Sequence, residues 1–148
     1  MKATPDQAAT VTELEDTVIE RVDGSALDLD EALAVYRRSG LGERRPIDDR
    51  ERMAAMLRNA NLVLVCRAGS ELVGLARCVS DFSYVTYLSD IAVVREYQRL
   101  GIGRALIDAV RREAPAAKVV LLSAPAASEY YPHIGFTQHG SAWVLNPE

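Results

Sequence analysis

The spacing of apolar residues predicts a strand and two helices in the first part of the chain. β-Branched residues alternate with polar ones over Thr17–Val22, which is typical of a strand. Leu29, Leu33 and Tyr36 recur at helical spacing in "SALDLDEALAVYRRSG", so this stretch is predicted to be an amphipathic helix. A second such helix is predicted over 48–60, with Asp48 as its N-cap.

The pattern then changes to extended segments. "NLVLVCRA" and "ELVGLARCVS" flank a Gly-Ser pair and predict a hairpin, and "YVTYLSDIAVV" predicts a longer apolar strand in the middle of a sheet. A helix follows up to Ala114, where Pro115 stops it. Beyond it we expect a buried strand in "KVVLLSA", a short helix in "ASEYYPHIGF" and a closing strand in "SAWVLN".

The resulting order is β-α-α-β-β-β-α-β-α-β in a chain of 148 residues. Strands and helices mixed in this way predict an α/β (α+β) fold, with one mostly antiparallel central sheet and helices on both faces. A chain of this length fits one domain, which we place at residues 15–148 after a flexible lead-in at 1–14.

Composition and charge exclude several classes of protein. The net charge of −4 disfavours nucleic acid as a partner, because binding phosphates needs a basic surface. No apolar stretch reaches the roughly 18 to 20 residues that cross a bilayer, and the first residues contain no apolar signal-peptide core. We therefore expect a cytoplasmic protein with no membrane partner.

The two cysteines and two histidines predict neither a disulfide nor a metal site. Cys66 and Cys78 lie inside strand-like runs, so we expect buried free thiols. The sequence contains no CxxC or HExxH spacing, which disfavours a metal site.

The stretch "EYQRLGIGRAL" leads from the long apolar strand into a helix. Apolar residues of that helix share one face (Ile102, Ala105, Leu106, Ala109 and Val110). The N-terminus of a helix has backbone N–H groups without partners, and Gly101 and Gly103 keep side chains away from them. This arrangement predicts a phosphate site, with a tight strand-to-helix turn as the alternative. The spacing matches neither GxxxxGK[ST] nor GxGxxG.

These residues resemble the signature of the GCN5-related N-acetyltransferases. That signature, [Q/R]-x-x-G-x-[G/A] after the fourth strand, matches Gln98 to Gly103, and "YYPHIGF" resembles the family's F-Y-x-x-x-G-F segment after the fifth strand. The order of strands and helices is also that of the family. The resemblance implies acetyl-CoA as co-substrate, with no metal.

The resemblance also implies which residues bind acetyl-CoA. Its pantetheine arm is expected to bond the backbone of Ile91, Ala92 and Val93, where the fourth and fifth strands splay apart. The positions that match the pyrophosphate loop are Gln98, Arg99, Leu100, Gly101, Ile102, Gly103 and Arg104. Arg95 stands where relatives commonly have proline, which is expected to loosen the turn.

For catalysis, the resemblance assigns Tyr131 as the acid that protonates the departing thiolate, with Tyr130 as the alternative. Pro132 departs from the family pattern and can change the aim of Tyr131. Asp90 is the candidate general base or attracts a cationic substrate, and the equal alternative is that it braces neighbouring backbone. Asp81 is expected in a turn. Neither histidine nor cysteine is given a catalytic role.

The expected function is acetyl transfer to a primary amine, most simply that of a small molecule, by direct attack in a ternary complex. A protein N-terminal or lysine acetyltransferase and a non-catalytic acyl-CoA-binding domain are the alternatives. Cues about the acceptor conflict, since four arginines suggest an anionic group and two aspartates suggest a cationic amine (Arg37, Arg38, Arg44, Arg45, Asp81 and Asp90). Trp143 is expected to pack inside the monomer, with a position in a homodimer interface as the alternative, and the oligomeric state is left open.

Overall fold

A computed structural model describes residues 16–148, so the predicted lead-in at 1–14 lies outside the described residues. In chain order the elements are β1 (Thr17–Val22), α1 (Leu29–Ser39), α2 (Arg50–Arg58), β2 (Leu62–Ala68), β3 (Glu71–Ser80), β4 (Val85–Val93), α3 (Ile102–Glu113), β5 (Lys118–Val120) and α4 (Tyr130–His133). The predicted order is therefore confirmed from β1 to α4.

The strands form one five-stranded sheet in the order β1-β2-β3-β4-β5. The first three pairings are antiparallel, and only β4 and β5 run parallel. Gly69 and Ser70 make the predicted turn between β2 and β3, and Gly69 has a φ of 60°, which glycine adopts without strain. The prediction of a mostly antiparallel sheet is confirmed.

Helices cover both faces of the sheet. Gly74 in β3 faces α3, because a Cβ atom there would lie 3.2 Å from Leu106 Cδ1. Arg77 in the same strand points to the other face, where it donates to the carbonyl of Met56 in α2 at 3.4 Å. Side chains of a strand alternate between its faces, so positions 74 and 77 belong to opposite layers. The core lies in these two layers.

Local signals determine where α1 and α2 begin and end. Gly40 ends α1 in the left-handed conformation, with a φ of 91°, which glycine adopts readily. The N-cap of α2 is Asp49, whose carboxylate accepts from Arg52 N, so the prediction of Asp48 was wrong by one residue. Both residues are aspartate, and only the register of the helix decides which one caps it.

The C-terminal part of the sheet differs from the prediction. β5 has three residues and is partly exposed rather than buried, with Val120 at 42% exposure. The segment "SAWVLN" is not a strand, and Trp143 and Leu145 are 92% and 98% exposed, so the expectation that Trp143 packs inside the monomer is wrong. Apolar alternation gives a strand only where a neighbouring strand supplies hydrogen bonds, and in residues 16–148 none lies beside this segment.

The other predictions from composition concern membranes, metals and thiols. None of the helices in residues 16–148 is long and apolar enough to span a membrane. The same residues contain no group of three or more His, Cys, Asp or Glu side chains that could hold a metal ion. Cys66 and Cys78 are buried free thiols, as predicted.

Candidate active site

A cleft opens where β4 and β5 separate. The two strands pair only from Val85 to Tyr87 on β4 and from Lys118 to Val120 on β5, so the rest of β4 has a free edge on that side. The cleft has a volume of about 370 Å³. Its lining includes the turn after α1, the free part of β4, the segment after β5, and α4 (Ser39, Gly40, Leu41, Arg44, Arg45, Leu88, Ser89, Ile91, Ala92, Val93, Gln98, Leu121, Leu122, Ala124, Ala127 and Tyr131).

Hydrogen bonds show which backbone groups of β4 face this cleft. Val94 N donates to Val73 O at 3.0 Å, so residue 94 turns its backbone towards β3. Val93 O instead accepts from the Gln98 side chain at 2.7 Å, on the cleft side. Because backbone groups alternate along a strand, Ile91 also faces the cleft, whereas Ala92 faces β3. The candidate residues Ile91, Ala92 and Val93 all line the cleft, but only the odd positions direct backbone groups into it.

A β-bulge in β4 places Asp90 beneath the cleft. Arg77 pairs with Asp90 and the next residue, Cys78, pairs with Leu88, which leaves Ser89 as the extra residue. Bulges of this kind change the direction of side chains and are frequent next to active sites. Ser89 lines the cleft as a result, and the side chain of Asp90 is fully buried.

The carboxylate of Asp90 is surrounded by hydrogen-bond donors. Oδ2 accepts from Tyr36 Oη at 2.5 Å and from Arg77 Nε at 2.6 Å. Oδ1 accepts from Arg45 Nε at 2.7 Å and from Ser89 Oγ at 3.2 Å. The network joins α1, the turn after it, β3 and β4, so it fixes the wall of the cleft.

These contacts determine the protonation states in the network. Burial alone raises the pKa of Asp90, but the hydrogen bonds and charge of Arg77, with the bonds from Tyr36 and Arg45, outweigh it and hold the pKa below its usual value. Burial, followed by the charge of Asp90, raises the pKa of Tyr36. At neutral pH Asp90 is therefore a carboxylate and Tyr36 a neutral phenol.

The glycine loop ends at the N-terminus of α3, next to the cleft. Gly101 is the N-cap residue with a φ of 90°, Arg99 has a φ of 66°, and within residues 16–148 no side chain caps the helix. The backbone N–H groups of the first turn of α3 are therefore available to donate to a ligand. A Cβ atom on Gly101 would meet no heavy atom within 4 Å, so open space lies in front of the loop. Arg99, Leu100, Ile102 and Arg104 belong to the same loop and first turn.

Tyr131 lines the cleft from α4. Its ring packs edge-on against Tyr130 at 5.3 Å and against Phe136 at 5.4 Å, measured between ring centroids. Burial raises the pKa of the Tyr131 phenol, so it keeps its proton at neutral pH. Tyr130 does not line the cleft, and its hydroxyl would lie 3.6 Å from a Cβ atom on Gly103. The free edge of β4, Gln98 and Tyr131 therefore line the same cleft, and the N-terminus of α3 lies beside it next to Tyr130.

Three other polar residues considered from the sequence lie outside the cleft. Asp81 lies in the turn after β3, where Oδ1 accepts from the backbone N–H groups of Ser83, Tyr84 and Val85 at 2.7 to 3.0 Å. His133 and His139 are exposed and outside the lining of the cleft.

Sequence reasoning missed the partners of Asp90. Helical spacing predicts Tyr36 in α1 without a role in the site, and no local motif assigns a role to Arg77. The available signal was an arginine in the middle of an otherwise apolar strand, because a buried guanidinium requires an acidic partner.

An open strand edge beside a glycine-lined helix N-terminus is suited to hold a phosphate-bearing ligand along β4. Residues 32–146 match the family described as the acetyltransferase (GNAT) domain. The chain belongs to this family of acetyltransferases.

Solved structures share the fold at low identity. A GNAT-family acetyltransferase of Streptococcus pneumoniae has a TM-score of 0.70 and 22% identity, covering 88% of this chain and 99% of that one. An aminoglycoside acetyltransferase from an uncultured soil metagenomic sample, in complex with sisomicin, has a TM-score of 0.66 and 21% identity, with 90% and 97% coverage. The aminoglycoside N-acetyltransferase AAC(6′)-Iy in complex with CoA has a TM-score of 0.67 and 16% identity, with 88% and 94% coverage.

Curated relatives match over shorter stretches. The histone acetyltransferase TAP1 of Glycine max is 30% identical over 107 residues, which is 63% of this chain and 45% of that protein. The uncharacterized N-acetyltransferase ycf52 of Pyropia yezoensis is 31% identical over 72 residues, or 47% and 41% of the two chains. The match thus spans less than half the length of these relatives.

Proposed function

We propose that the protein transfers an acetyl group from acetyl-CoA to the primary amine of a small molecule, by direct attack in a ternary complex. The observation that carries the proposal is that the free edge of β4 and Tyr131 line one cleft and that the loop before α3 adjoins it, because Gln98 of this loop also lines the cleft. The family to which the chain belongs supports acetyl transfer, and the CoA in one structural neighbour supports the co-substrate.

The residues present fit acetyl-CoA. The amides at the start of α3 are suited to bind its pyrophosphate, since they point into space that the glycines leave open. The backbone of Ile91 and the N–H of Val93 are suited to bond its pantetheine arm as an added strand. Gln98 is proposed not to contact acetyl-CoA through its side chain, because its Nε2 already donates to Val93 O and Ser39 O. It keeps the loop against β4.

In this mechanism the thioester supplies the activated acetyl group, and the protein supplies positions, charge and a proton. The amine attacks the thioester carbonyl and the C–S bond breaks, while the phenol of Tyr131, which lines the cleft, donates its proton to the leaving sulfur. The proton that the amine nitrogen loses passes to water in the open cleft, and the phenol regains a proton from the same water.

Asp90 is proposed to brace the cleft instead of removing a proton from the amine. Its two oxygens accept four hydrogen bonds, and the cleft lining does not include it. A carboxylate with a lowered pKa is also a weak base. The role of general base suggested by the sequence is kept as the competing hypothesis.

Titration with acetyl-CoA, CoA, ATP and NAD is the first test. We expect the two CoA ligands to bind and the other two not to bind. Gly103→Val should weaken CoA binding by about tenfold, because a branched side chain would cover the first-turn amides. Gly140→Val is the matched control, since Gly140 lies in the C-terminal segment with open space around its Cα and should leave affinity unchanged.

The outcomes separate the candidate functions. Binding of ATP or NAD in place of CoA would contradict the proposed site. If CoA binds but no primary amine that is tested releases the thiol from acetyl-CoA, a non-catalytic acyl-CoA-binding domain is favoured. Transfer only to peptides would favour a protein acetyltransferase. Small amines are our first choice, because two of the structural neighbours are aminoglycoside acetyltransferases.

Location and assembly are separate proposals. We propose a cytoplasmic protein, as its sequence predicted, and a homodimer stays open. Fractionation and the mass of the protein in solution would test them.

A further inference from the structure

The charged side chains that line the cleft are all positive. Its lining contains Arg44 and Arg45, but no aspartate or glutamate of residues 16–148 belongs to it. Each nitrogen of the Arg45 guanidinium already donates a hydrogen bond, Nε to Asp90 Oδ1, Nη1 to Arg44 O and Nη2 to Ser89 O, all within 2.8 Å, and its charge is paired with that of Asp90. Arg44 is exposed, and its guanidinium forms no ion pair with any residue in the described range.

The acidic residues that suggested a cationic acceptor do not face the cleft. Asp90 lies under Arg45 and Arg77, and Asp81 is held in the β3–β4 turn by backbone N–H groups. Glu43 is adjacent to Arg44 but lies outside the lining. A polycation that entered the cleft would meet guanidinium groups and no carboxylate.

The other arginines of the conflicting set are not equivalent to Arg44. Arg38 is paired with Glu71 at 2.8 Å and with Glu96 at 3.3 Å. Arg37 is exposed on α1 but does not line the cleft. Arg44 is thus the arginine of this set that both lines the cleft and keeps its donors available.

We infer that the acceptor is a small primary amine that also carries an oxyanion, a carboxylate or a phosphate-type group, and that Arg44 binds this oxyanion. The inference rests on the proposed function and names its substrate class. A guanidinium binds planar oxyanions through two parallel N–H bonds, which gives both affinity and orientation. The amine end then lies towards Tyr131 and the oxyanion towards the turn Leu41–Arg44.

The size of the cleft agrees with a small acceptor. Its volume of about 370 Å³ must hold both the end of the pantetheine arm and the acceptor. Small-molecule sites commonly measure about 300 to 1,000 Å³, so this space is at the lower end. An amine with a short chain between its two charged ends fits these dimensions.

The test compares amines of similar length that differ in their far end: γ-aminobutyrate, aminopropylphosphonate, n-butylamine and putrescine. Thiol release gives kcat/KM for each. We expect at least one oxyanion-bearing amine to be preferred about tenfold or more over n-butylamine and putrescine. The carboxylate and the phosphonate distinguish the two sources of the oxyanion.

Arg44→Glu provides the decisive variant. It should remove the preference for the oxyanion-bearing amines and increase kcat/KM for putrescine. Arg58→Glu makes the same change of charge at an exposed position on α2, away from the cleft, and should leave the order of preference unchanged. A wild-type preference for putrescine, or an unchanged order in Arg44→Glu, would overturn the inference.

A binding measurement separates this inference from the proposed function. If CoA binds but no amine is acetylated, the proposed transfer is contradicted, and the CoA-loaded protein is titrated with the same amines. Saturable binding of γ-aminobutyrate or aminopropylphosphonate that Arg44→Glu abolishes would still support the oxyanion site. Absence of such binding would overturn it too.

Discussion

Tyr131→Phe should lower kcat by about 100-fold while acetyl-CoA binding is nearly unchanged. Removal of a general acid typically costs 10²- to 10⁴-fold in rate, and we take the lower value because solvent reaches the cleft. The hydroxyl of Tyr131 forms no hydrogen bond with any residue in 16–148, and its ring contacts are kept by phenylalanine. The loss would therefore be chemical, and thiol release under saturating acetyl-CoA measures it.

Tyr130→Phe is the matched control for Tyr131. The two residues are adjacent in α4, but Tyr130 lies outside the lining of the cleft. Its variant should keep turnover of the same order as wild type. Loss of turnover in Tyr130→Phe, with none in Tyr131→Phe, would exchange their roles. Unchanged turnover in both variants would mean that water protonates the thiolate and that Tyr131 is not the general acid.

The pH profile provides a second signature of the same acid. An acid must be protonated to act, and the pKa of Tyr131 is raised above its ordinary value of about 10 by burial. Wild-type kcat should thus fall only as pH rises through this raised pKa. Tyr131→Phe should lack that alkaline decrease, because it has no phenol to ionise.

Local signals in the sequence predicted most of the fold and the binding loop. Gly40 and Gly101 adopt the positive φ angles for which glycine is suited, at the ends of elements that apolar spacing had already defined. The same spacing identified β2, β3 and β4. Such features depend on residues close in sequence, which is why the pattern alone was sufficient.

Long-range features were not accessible in the same way. Asp90 contacts Tyr36 and Arg45, which precede it by 54 and 45 residues, and no local pattern connects them. The bulge at Ser89 is likewise visible only once β3 and β4 are paired. The prediction of a closing strand in "SAWVLN" was wrong because the local pattern is that of a strand, whereas in residues 16–148 no neighbouring strand pairs with it.

Asp90→Asn should reduce the free energy of unfolding at pH 7 by about 3 kcal/mol, the lower value for breaking a buried ion pair by removal of one partner. The side chains of Asp90 and Arg77 are 0% and 11% exposed, so an amide in place of the carboxylate leaves buried positive charge uncompensated. Asp30→Asn is the matched control, because the Asp30–Arg50 pair has a similar N–O distance, 2.8 Å against 2.6 Å for Asp90–Arg77, but its side chains are 76% and 57% exposed. Asp30→Asn should reduce the free energy of unfolding by less than about 1 kcal/mol.

The dependence on pH and on Arg77 distinguishes bracing from catalysis by Asp90. Because its folded-state pKa is lowered, ionised Asp90 stabilises the protein above its unfolded pKa of about 3.9, and this stabilisation is lost as pH falls through the folded value. The difference between wild type and Asp90→Asn should therefore shrink below about pH 4. Asp90→Asn and Arg77→Gln should also couple by about 1 kcal/mol or more in a double-mutant cycle. If Asp90→Asn instead keeps its stability but loses kcat together with the acidic limb of its pH profile, Asp90 is the general base and the bracing role is wrong.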